Sequence, residues 1–225
     1  MEEKRFVLFK KEELGVKEYI KESLGKGRIS EVSIQYTPVG EKILVSTNKP
    51  GLIIGRRGEK IADMTAVLKK KFKLDNPHIE IKDIPVEYLD AQLVADMIAL
   101  EIERKGSLRF KMIAYKSLQN IIKVGALGAE IVLSGKLPSD RAKTWRFSQG
   151  YLKKTGDPAK VVKRAEAQAK TMKGVIGIKV SILPPDAEIH DKIVIDDALK
   201  SKLLLNSVDN EPKETKKTKK TRSKK

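Results

Sequence analysis

One short stretch of the chain, PGLIIGRRGEKI at residues 50–61, combines the residue types that hold an anion. The residues in it that could contact a phosphate are Gly55, Arg56, Arg57, Gly58 and Lys60. Glycine lets the backbone adopt unusual dihedral angles and lets another backbone approach closely. Arginine offers a planar fork of donors that suits phosphate, and a helix that begins at the second glycine would point free N–H groups at the same place. The spacing therefore predicts a phosphate-binding loop.

A bare G-x-x-G sequence is also compatible with a turn between two helices that carries arginines on its surface. Two better-known glycine loops do not fit the spacing. A P-loop needs G-x-x-x-x-G-K-[ST], and a dinucleotide-binding loop needs G-x-G-x-x-G. The motif by itself therefore predicts an anion site and leaves the anion open.

The charge balance of the chain indicates what that anion is. Among 225 residues there are 47 Lys and Arg against 30 Asp and Glu, a formal net charge of +17. Such an excess repels itself in a compact protein unless a polyanion neutralises it. Nucleic acid fits best, because phosphate contacts by Lys and Arg release counterions. A membrane surface is the competing polyanion. No apolar run approaches the ~18 residues of a membrane-spanning helix. We expect a cytoplasmic protein with no membrane partner.

The residues that most often carry catalysis are scarce. The chain has no cysteine, and its two histidines, His78 and His190, stand far apart. Thiolate metal sites, Cys nucleophiles and a histidine dyad are therefore not expected, and we predict no cofactor. A lysine that forms a Schiff base needs a pKa lowered by burial or by a neighbouring cation. No lysine stands isolated in an apolar setting, so we expect that the protein is not an enzyme.

The loop lies in a first predicted unit, residues 1–85, whose elements follow the order α-β-β-α-α-β. The predicted elements are a helix at 6–24, strands at 29–36 and 42–47, a short apolar helix from Pro50, a helix at 59–72 and a strand at 78–82. The residues expected to form the buried stripe of the first helix are Phe9, Leu14, Val16, Ile20 and Leu24.

A second predicted unit, residues 86–187, consists of two helices packed on an antiparallel sheet, which makes the whole fold α+β. The predicted elements are helices at 87–104 and 107–124, then strands at 129–135, 143–152 and 175–182. Residues 158–172 have helical propensity but could also pair as a strand with 175–182. Residues 188–225 form an extension and a basic tail, which has too few apolar residues after Val208 to order itself when free.

Two further sets of basic residues are candidates for RNA contact. The first lies on one side of helix 107–124 at seven-residue spacing, opposite its apolar stripe: Arg109, Lys116 and Lys123. The second surrounds a loop and the strand that follows it: Lys136, Arg141, Lys143 and Arg146. Trp145 and Phe147 accompany the second set. We expect these two aromatic side chains to belong to the core and the cations to contact phosphate.

The order of elements around the G-x-x-G loop resembles the type II KH module, whose GXXG loop clamps a nucleic-acid backbone. Three later stretches resemble the second domain of the universal small-subunit ribosomal protein three family. They are YLDAQLVADMIALEIE at 88–103, SLRFKMIAYKSLQNIIKVGALGAEIVLSGKL at 107–137, and GVIGIKVSI at 174–182. GYLKKTGDP at 150–158 is similar to the archaeal and eukaryotic branch, so we identify the archaeal type. The resemblance covers about residues 5–186.

This resemblance implies a place in the ribosome. Members of the family sit in the head of the small subunit and bind the 3′ domain of small-subunit rRNA. They line the mRNA channel on the side where the message enters, and the neighbouring head proteins expected as partners are small-subunit ribosomal proteins ten and fourteen. The resemblance also implies a strand ahead of residues 174–182.

The family's mRNA-facing helix matches residues 107–124, with one departure. The family shows adjacent arginines and then a lysine, and the matching positions here are Lys111, Met112 and Tyr115. Only Lys111 keeps the charge, although Arg109 and Lys116 lie beside these positions and could substitute. The departure weakens the prediction of a strong contact that unwinds structured mRNA, but not the prediction of the location.

Three classes of function stay open to test. The first is a structural ribosomal protein that binds rRNA and lines the mRNA channel. The second is a free-standing KH regulator or processing factor, which would need the first unit but not the second. The third is an enzyme such as a lysine-dependent lyase, which only the abundance of lysine suggests. The motifs of the second unit favour the first class.

Overall fold

The computed structural model describes residues 2–38, 40–72, 74 and 76–189. The helices and strands in chain order are α1 (Glu2–Leu24), β1 (Ile29–Thr37), β2 (Gly40–Thr47), α2 (Pro50–Ile54), α3 (Glu59–Phe72), β3 (His78–Asp83), α4 (Ala91–Lys105), α5 (Phe110–Lys123), β4 (Gly128–Gly135), β5 (Lys143–Gly150), β6 (Lys163–Thr171) and β7 (Gly174–Leu183). The predicted disordered tail lies outside the described residues, as does the extension from residue 190 onward, so their conformation stays a prediction.

The first half of the chain builds a three-stranded sheet in the order β1-β2-β3. Strand β1 runs antiparallel to β2, and β2 runs parallel to β3, so that Ile43 lies opposite Ile79. Helix α1 packs on β1, and α3 packs on α1 and β3. Ile43, Val45 and Leu68 are fully buried in the core between helices and sheet. The predicted order α-β-β-α-α-β is confirmed.

Helix α1 begins at Glu2 rather than at residue 6, and its predicted buried stripe is partly wrong. Val16, Ile20 and Leu24 are buried at four-residue spacing, but Leu14 is 55% exposed. At about 100° per residue, Leu14 lies on nearly the opposite side of the helix from Val16. The neighbour that shares the buried row is Glu13, whose carboxylate pairs with two lysines on the same helix.

Phe9 is on the buried row of α1 but remains 38% exposed. Its ring packs against Tyr36 near the end of β1, with ring centroids 4.7 Å apart. The three residues before it, Phe6 to Leu8, are more exposed still. The N-terminal part of α1 therefore extends beyond the core that buries its C-terminal part.

The second half builds a four-stranded antiparallel sheet in the order β5-β4-β7-β6. Helix α4 packs on β6 and β7, and α5 packs on β4 and β5. The largest fully buried side chains between these two layers are Ile98, Ile102, Phe110, Ile113, Leu118, Ile121 and Ile131. The predicted architecture of two helices on an antiparallel sheet is confirmed, and the other face of the sheet carries neither helix.

The helices of the second half begin later than predicted because each follows a 3-10 turn. Residues Glu87–Leu89 form the first turn, after which Asp90 caps α4 by accepting hydrogen bonds from the N–H groups of Gln92 (2.8 Å) and Leu93 (3.4 Å). Ser107–Arg109 form the second turn, ahead of α5. Val124 would share the buried side of Phe110 and Ile121 if the helix continued at about 100° per residue, but it is 38% exposed because α5 ends at Lys123.

The ambiguous stretch 158–172 is a strand in its greater part. A 3-10 turn at Asp157–Lys160 leads into β6, which pairs antiparallel with β7. Ala165, Ala167 and Ala169 alternate towards α4, and Ala169 is fully buried. Small side chains at these positions let the helix approach the sheet, so tertiary packing decides against the helical propensity.

The turn between α1 and β1 connects the first half of the chain to the second. The N–H of Gly27 donates to the Asp96 carboxylate over 2.9 Å, and Lys26 pairs with Glu103 at 3.3 Å. Glu103 also accepts from the backbone N–H of Lys170 at 2.9 Å. These contacts link residues of the predicted first unit to α4 and β6, while the exact boundary at residues 85–86 stays a prediction.

Candidate nucleic-acid interface

The G-x-x-G loop separates the short helix α2 from α3. Gly55 ends α2, with its N–H donating to the carbonyl of Gly51 over 3.1 Å, and Arg56–Gly58 form a 3-10 turn. Gly55 has φ 74° and ψ −171°. A Cβ at this position would lie 2.8 Å from Cγ of Lys60, so the loop needs glycine both for its conformation and for the close approach of that lysine.

Arg57 has φ 51° and ψ 23°, and among the described residues it is the one non-glycine residue with positive φ. A left-handed conformation costs a residue with a side chain ~1–3 kcal/mol, and such strain is typical of ligand-binding loops. Arg56 and Arg57 are both exposed, and neither guanidinium forms an ion pair with another residue that the structure describes. The loop therefore presents two cations that its own surroundings do not neutralise.

The N-terminus of α3 lies directly behind these arginines. The helix begins at Glu59 after Gly58, which has φ 81°, and the N–H groups of its first turn have no partner within the helix. Lys60 is exposed in the same turn. The structure thus brings together all five residues predicted for the loop. It also exposes Leu52 and Ile54 of α2 (43% and 40%), apolar residues beside the loop that the sequence pattern did not single out.

Helix α5 presents a second group of cations. Arg109, Lys116 and Lys123 are exposed, while Phe110, Ile113 and other apolar residues are buried against the sheet. Between the cations, Met112 and Tyr115 are 51% and 57% exposed. These two residues interrupt the charge at the positions where the resemblance implies arginine and lysine.

Lys111 has a different environment from the other cations of α5. Its Nζ lies 4.7 Å from the centroid of the Trp145 ring in β5. Such a contact stabilises a protein by ~0.5–1 kcal/mol when exposed. The one cation that the resemblance carries over to this helix is therefore partly engaged in packing.

The third group of predicted cations is divided by the structure. Lys136, Arg141 and Lys143 are exposed around the connection from β4 to β5. Arg146 points to the opposite face of the sheet from Trp145 and Phe147, because side chains alternate along a strand. Its Nε pairs with Oε1 of Glu130 at 2.7 Å. The sequence pattern placed the four cations in one cluster, and the missing signal was the buried acid on the neighbouring strand.

The aromatic residues near this group belong to the core, as predicted. Trp145 packs against Phe110 with ring centroids 5.4 Å apart, and Phe147 is buried with its ring 6.3 Å from that of Phe110. The indole Nε1 of Trp145 is buried without a hydrogen-bond partner in the described part of the chain. Both rings therefore serve in packing: Phe147 is buried, and Trp145 is partly buried against the core.

Two of the carboxyl groups with shifted pKa values lie at contacts between the two halves of the chain. Burial raises the pKa of Asp96, although the N–H of Gly27 and the amide of Gln92 oppose the shift. The backbone N–H of Lys170 lowers the pKa of Glu103, and Lys26 adds to that effect. Over residues 2–189, apart from the three gaps, no three His, Asp or Glu side chains are grouped as a metal site. None of the described helices is long and apolar enough to cross a membrane.

Two domain families match the two halves of the chain. The KH domain matches residues 15–89, and the family described as Ribosomal protein S3, C-terminal domain, matches residues 98–182. Both agree with the family that the sequence motifs indicate.

Individual proteins are similar over most of their length. Small ribosomal subunit protein uS3 of Methanocaldococcus jannaschii is 39% identical over 196 residues, which cover 87% of this chain and 93% of that protein. The uS3 protein of Methanococcus aeolicus is 34% identical over 210 residues, 93% of this chain and 100% of the relative. That of Methanothermobacter thermautotrophicus is 35% identical over 193 residues, 85% and 74% respectively. Because these similarities run through both halves of the chain, it belongs to the uS3 family of small ribosomal subunit proteins.

Proposed function

We propose that this chain is a structural component of the small ribosomal subunit in the cytoplasm, where it binds the 3′ domain of the rRNA in the subunit head. The observation that carries the proposal is the extent of similarity to proteins named small ribosomal subunit protein uS3, which reaches 87% of this chain. A free-standing KH regulator would need only the first half. The matched second half therefore favours the ribosomal role, which is structural rather than catalytic.

The G-x-x-G loop supplies one RNA contact in this proposal. Arg56 and Arg57 are exposed cations on a strained turn, and the N-terminus of α3, with the positive end of its helix dipole, follows directly. Phosphate is the ligand that both features favour. Lys136, Arg141 and Lys143 supply a second phosphate contact at the exposed connection between β4 and β5.

Helix α5 lines the mRNA channel where the message enters, and the partners of the chain in the subunit head are small-subunit ribosomal proteins ten and fourteen. Three exposed cations support this assignment: Arg109 in the turn that leads into α5, and Lys116 and Lys123 on the side of the helix that faces away from the sheet. Met112 and Tyr115 lower the charge density of that side. We therefore assign the phosphate contacts with mRNA chiefly to Arg109 and Lys116.

Sedimentation of a native lysate tests the ribosomal role. The tagged chain should migrate with small subunits at moderate salt, and also after Mg²⁺ is lowered to separate the two subunits. High salt should release it progressively, because each phosphate contact adds to the salt dependence of binding. A chain that stays at the top of the gradient at moderate salt, while other small-subunit proteins sediment, would contradict the proposal.

A further inference from the structure

The face of the four-stranded sheet that α4 and α5 leave uncovered contains a hollow of about 360 Å³. Strands β4 to β7 form its floor, and the segment after β5, including Leu152 and Lys154, forms one wall. The guanidinium of Arg164 in β6 donates to the backbone carbonyl of Lys154 at 3.5 Å, so this segment is connected to the floor. The hollow lies on a different face of the sheet from the cations of α5.

The lining of this hollow is unusually rich in cations. Five basic side chains line it: Arg146, Lys153, Lys154, Arg164 and Lys179. Two carboxylates, Glu130 and Glu166, accompany them, which leaves an excess of three positive charges. Like charges at such short range repel each other, so their concentration in one concavity favours an anionic ligand.

A buried carboxylate holds two of the cations in place. Glu130 is only 7% exposed, on the central strand β4. Its Oε1 pairs with Nε of Arg146 at 2.7 Å, and its Oε2 pairs with Nζ of Lys154 at 2.6 Å. The side chains of Arg146 and Lys154 are themselves 64% and 55% exposed. The carboxylate of Glu130 thus lies on the floor of the hollow, and Arg146 and Lys154 lie between it and solvent. This pairing orients the two cations towards solvent before any ligand binds.

The pairing leaves the cations able to bind a further anion. Glu130 engages Arg146 through Nε, so the two Nη groups of the fork remain for an oxyanion. Lys179 pairs with Glu166 at 2.8 Å, but both side chains are largely exposed, and such a pair contributes little and exchanges readily with water. A cation site with fixed donors binds at a lower entropic cost than lysines on a free surface.

We propose that this hollow is a binding site for the phosphate backbone of RNA, organised by Glu130. The inference rests on the proposed ribosomal function, which supplies RNA as the partner. The residues that line the hollow include no aromatic side chain, so bases have no platform for stacking and the contact is with phosphate and ribose. Recognition at this site is therefore independent of base sequence.

A pair of variants with equal charge tests the organising role of Glu130. Glu130→Gln and Glu166→Gln each raise the net charge by one, so an unorganised electrostatic surface would bind RNA more tightly in both. If Glu130 orients Arg146 and Lys154, E130Q should instead bind a head-domain rRNA fragment about threefold or more weakly, while E166Q binds as well as the native chain or better. Fluorescence anisotropy over a salt series measures both, with circular dichroism to verify folding.

A double variant that leaves Glu130 unchanged tests the same proposal if E130Q does not fold. Arg164→Gln with Lys179→Gln removes two exposed cations of the hollow and leaves Glu130 paired. The slope of log affinity against log salt should flatten by about 1.4–1.8, since each of the two lost phosphate contacts contributes about 0.7–0.9. The matched control, Lys4→Gln with Arg5→Gln, removes two exposed cations from α1 and should change the slope less.

The proposal can fail independently of the ribosomal role. Native RNA affinity and salt slope in R164Q/K179Q, with the variant still sedimenting with small subunits, would overturn the hollow as an RNA site and leave the proposed function intact. Unchanged RNA binding together with lost binding of a polyglutamate peptide would likewise overturn it, and would assign the hollow to an acidic protein segment.

Discussion

Arg57 carries the backbone strain of the G-x-x-G loop. Its left-handed backbone conformation would be free of strain if the position were glycine, yet an arginine occupies it between two glycines. A strained and exposed cation, unpaired with any other described residue, adds nothing to stability. Its presence is explained if the charge is used in binding.

This interpretation predicts the effect of reversing the two charges of the loop. Arg56→Asp with Arg57→Asp should weaken binding of single-stranded RNA and flatten the salt slope by about 1.4, because each lost contact removes about 0.7 from the slope for single strands. Affinity measured between low and moderate salt checks both quantities. Lys4→Asp with Arg5→Asp, an adjacent exposed pair on α1, gives the same change in charge. An equal loss of RNA affinity in the two double variants would indicate that the loop is only a turn with arginines on its surface.

At the scale of elements, α5 shows how charge and packing can be tested separately. Arg109→Glu with Lys116→Glu should slow translation of a message with a stable hairpin more than translation of an unstructured one, since these cations are assigned to mRNA. Lys111 is left unchanged, because its loss would also remove the contact with the Trp145 ring. The ratio of the two translation rates in a reconstituted system is the measurement. A ratio equal to that of the native chain would contradict the assignment of these cations to mRNA contact.

The elements also show how far the sequence alone could lead. Periodicity identified β1, β2, α3 and β7 closely, because each has one face in a core and one in water. It misplaced Leu14, because five apolar residues of α1 do not share one side of a helix. It left β6 undecided, because alanine, lysine and glutamate are good helix formers and only the packing of α4 against the sheet selects the strand.

Of the candidate RNA contacts, the sequence alone predicts the G-x-x-G loop but not the hollow on the second sheet. The five predicted residues of the loop lie within six consecutive positions, 55–60, so their sequence spacing already determines that they lie close together. The hollow on the second sheet joins residues from β4, β5, β6, β7 and the segment after β5, and no spacing along the chain brings these together. The pairing of Arg146 with Glu130 depends on strand register, in which Val132 is opposite Arg146 and Glu130 is opposite Ser148.

At the scale of the whole molecule, the carboxyl groups of Asp96 and Glu103 lie at the contact between the two halves of the chain. Their contributions to the free energy of unfolding should depend on pH in opposite directions. The folded-state pKa of Asp96 is raised by burial, so its contribution to stability is full below the unfolded pKa of ~3.9 and is lost as pH rises through the folded pKa. Glu103 has a lowered pKa, so its contribution is present above the unfolded value of ~4.3 and is lost as pH falls.

Asp96→Asn and Glu103→Gln are the variants that separate these effects. The free energy of unfolding of D96N, relative to the native chain, should increase as pH rises from about 3 to 7, since asparagine keeps an acceptor for Gly27 without the buried charge. That of E103Q should decrease over the same range. Denaturant titrations at several pH values measure both, and trends of the same sign would contradict the assignment of the two shifts.

Strand β6 has a further consequence for the chain before it meets any RNA. It is an edge of the second sheet: no described strand pairs with its outer side, although Glu103 accepts from the N–H of Lys170 there and Lys26 donates to the carbonyl of Gln168. Such an edge can recruit strands from other molecules. Its residues KRAEAQAKT form β-structure poorly and include four charged side chains, which discourage that recruitment. The composition that concealed the strand from sequence analysis therefore also protects newly made, unassembled protein from aggregation.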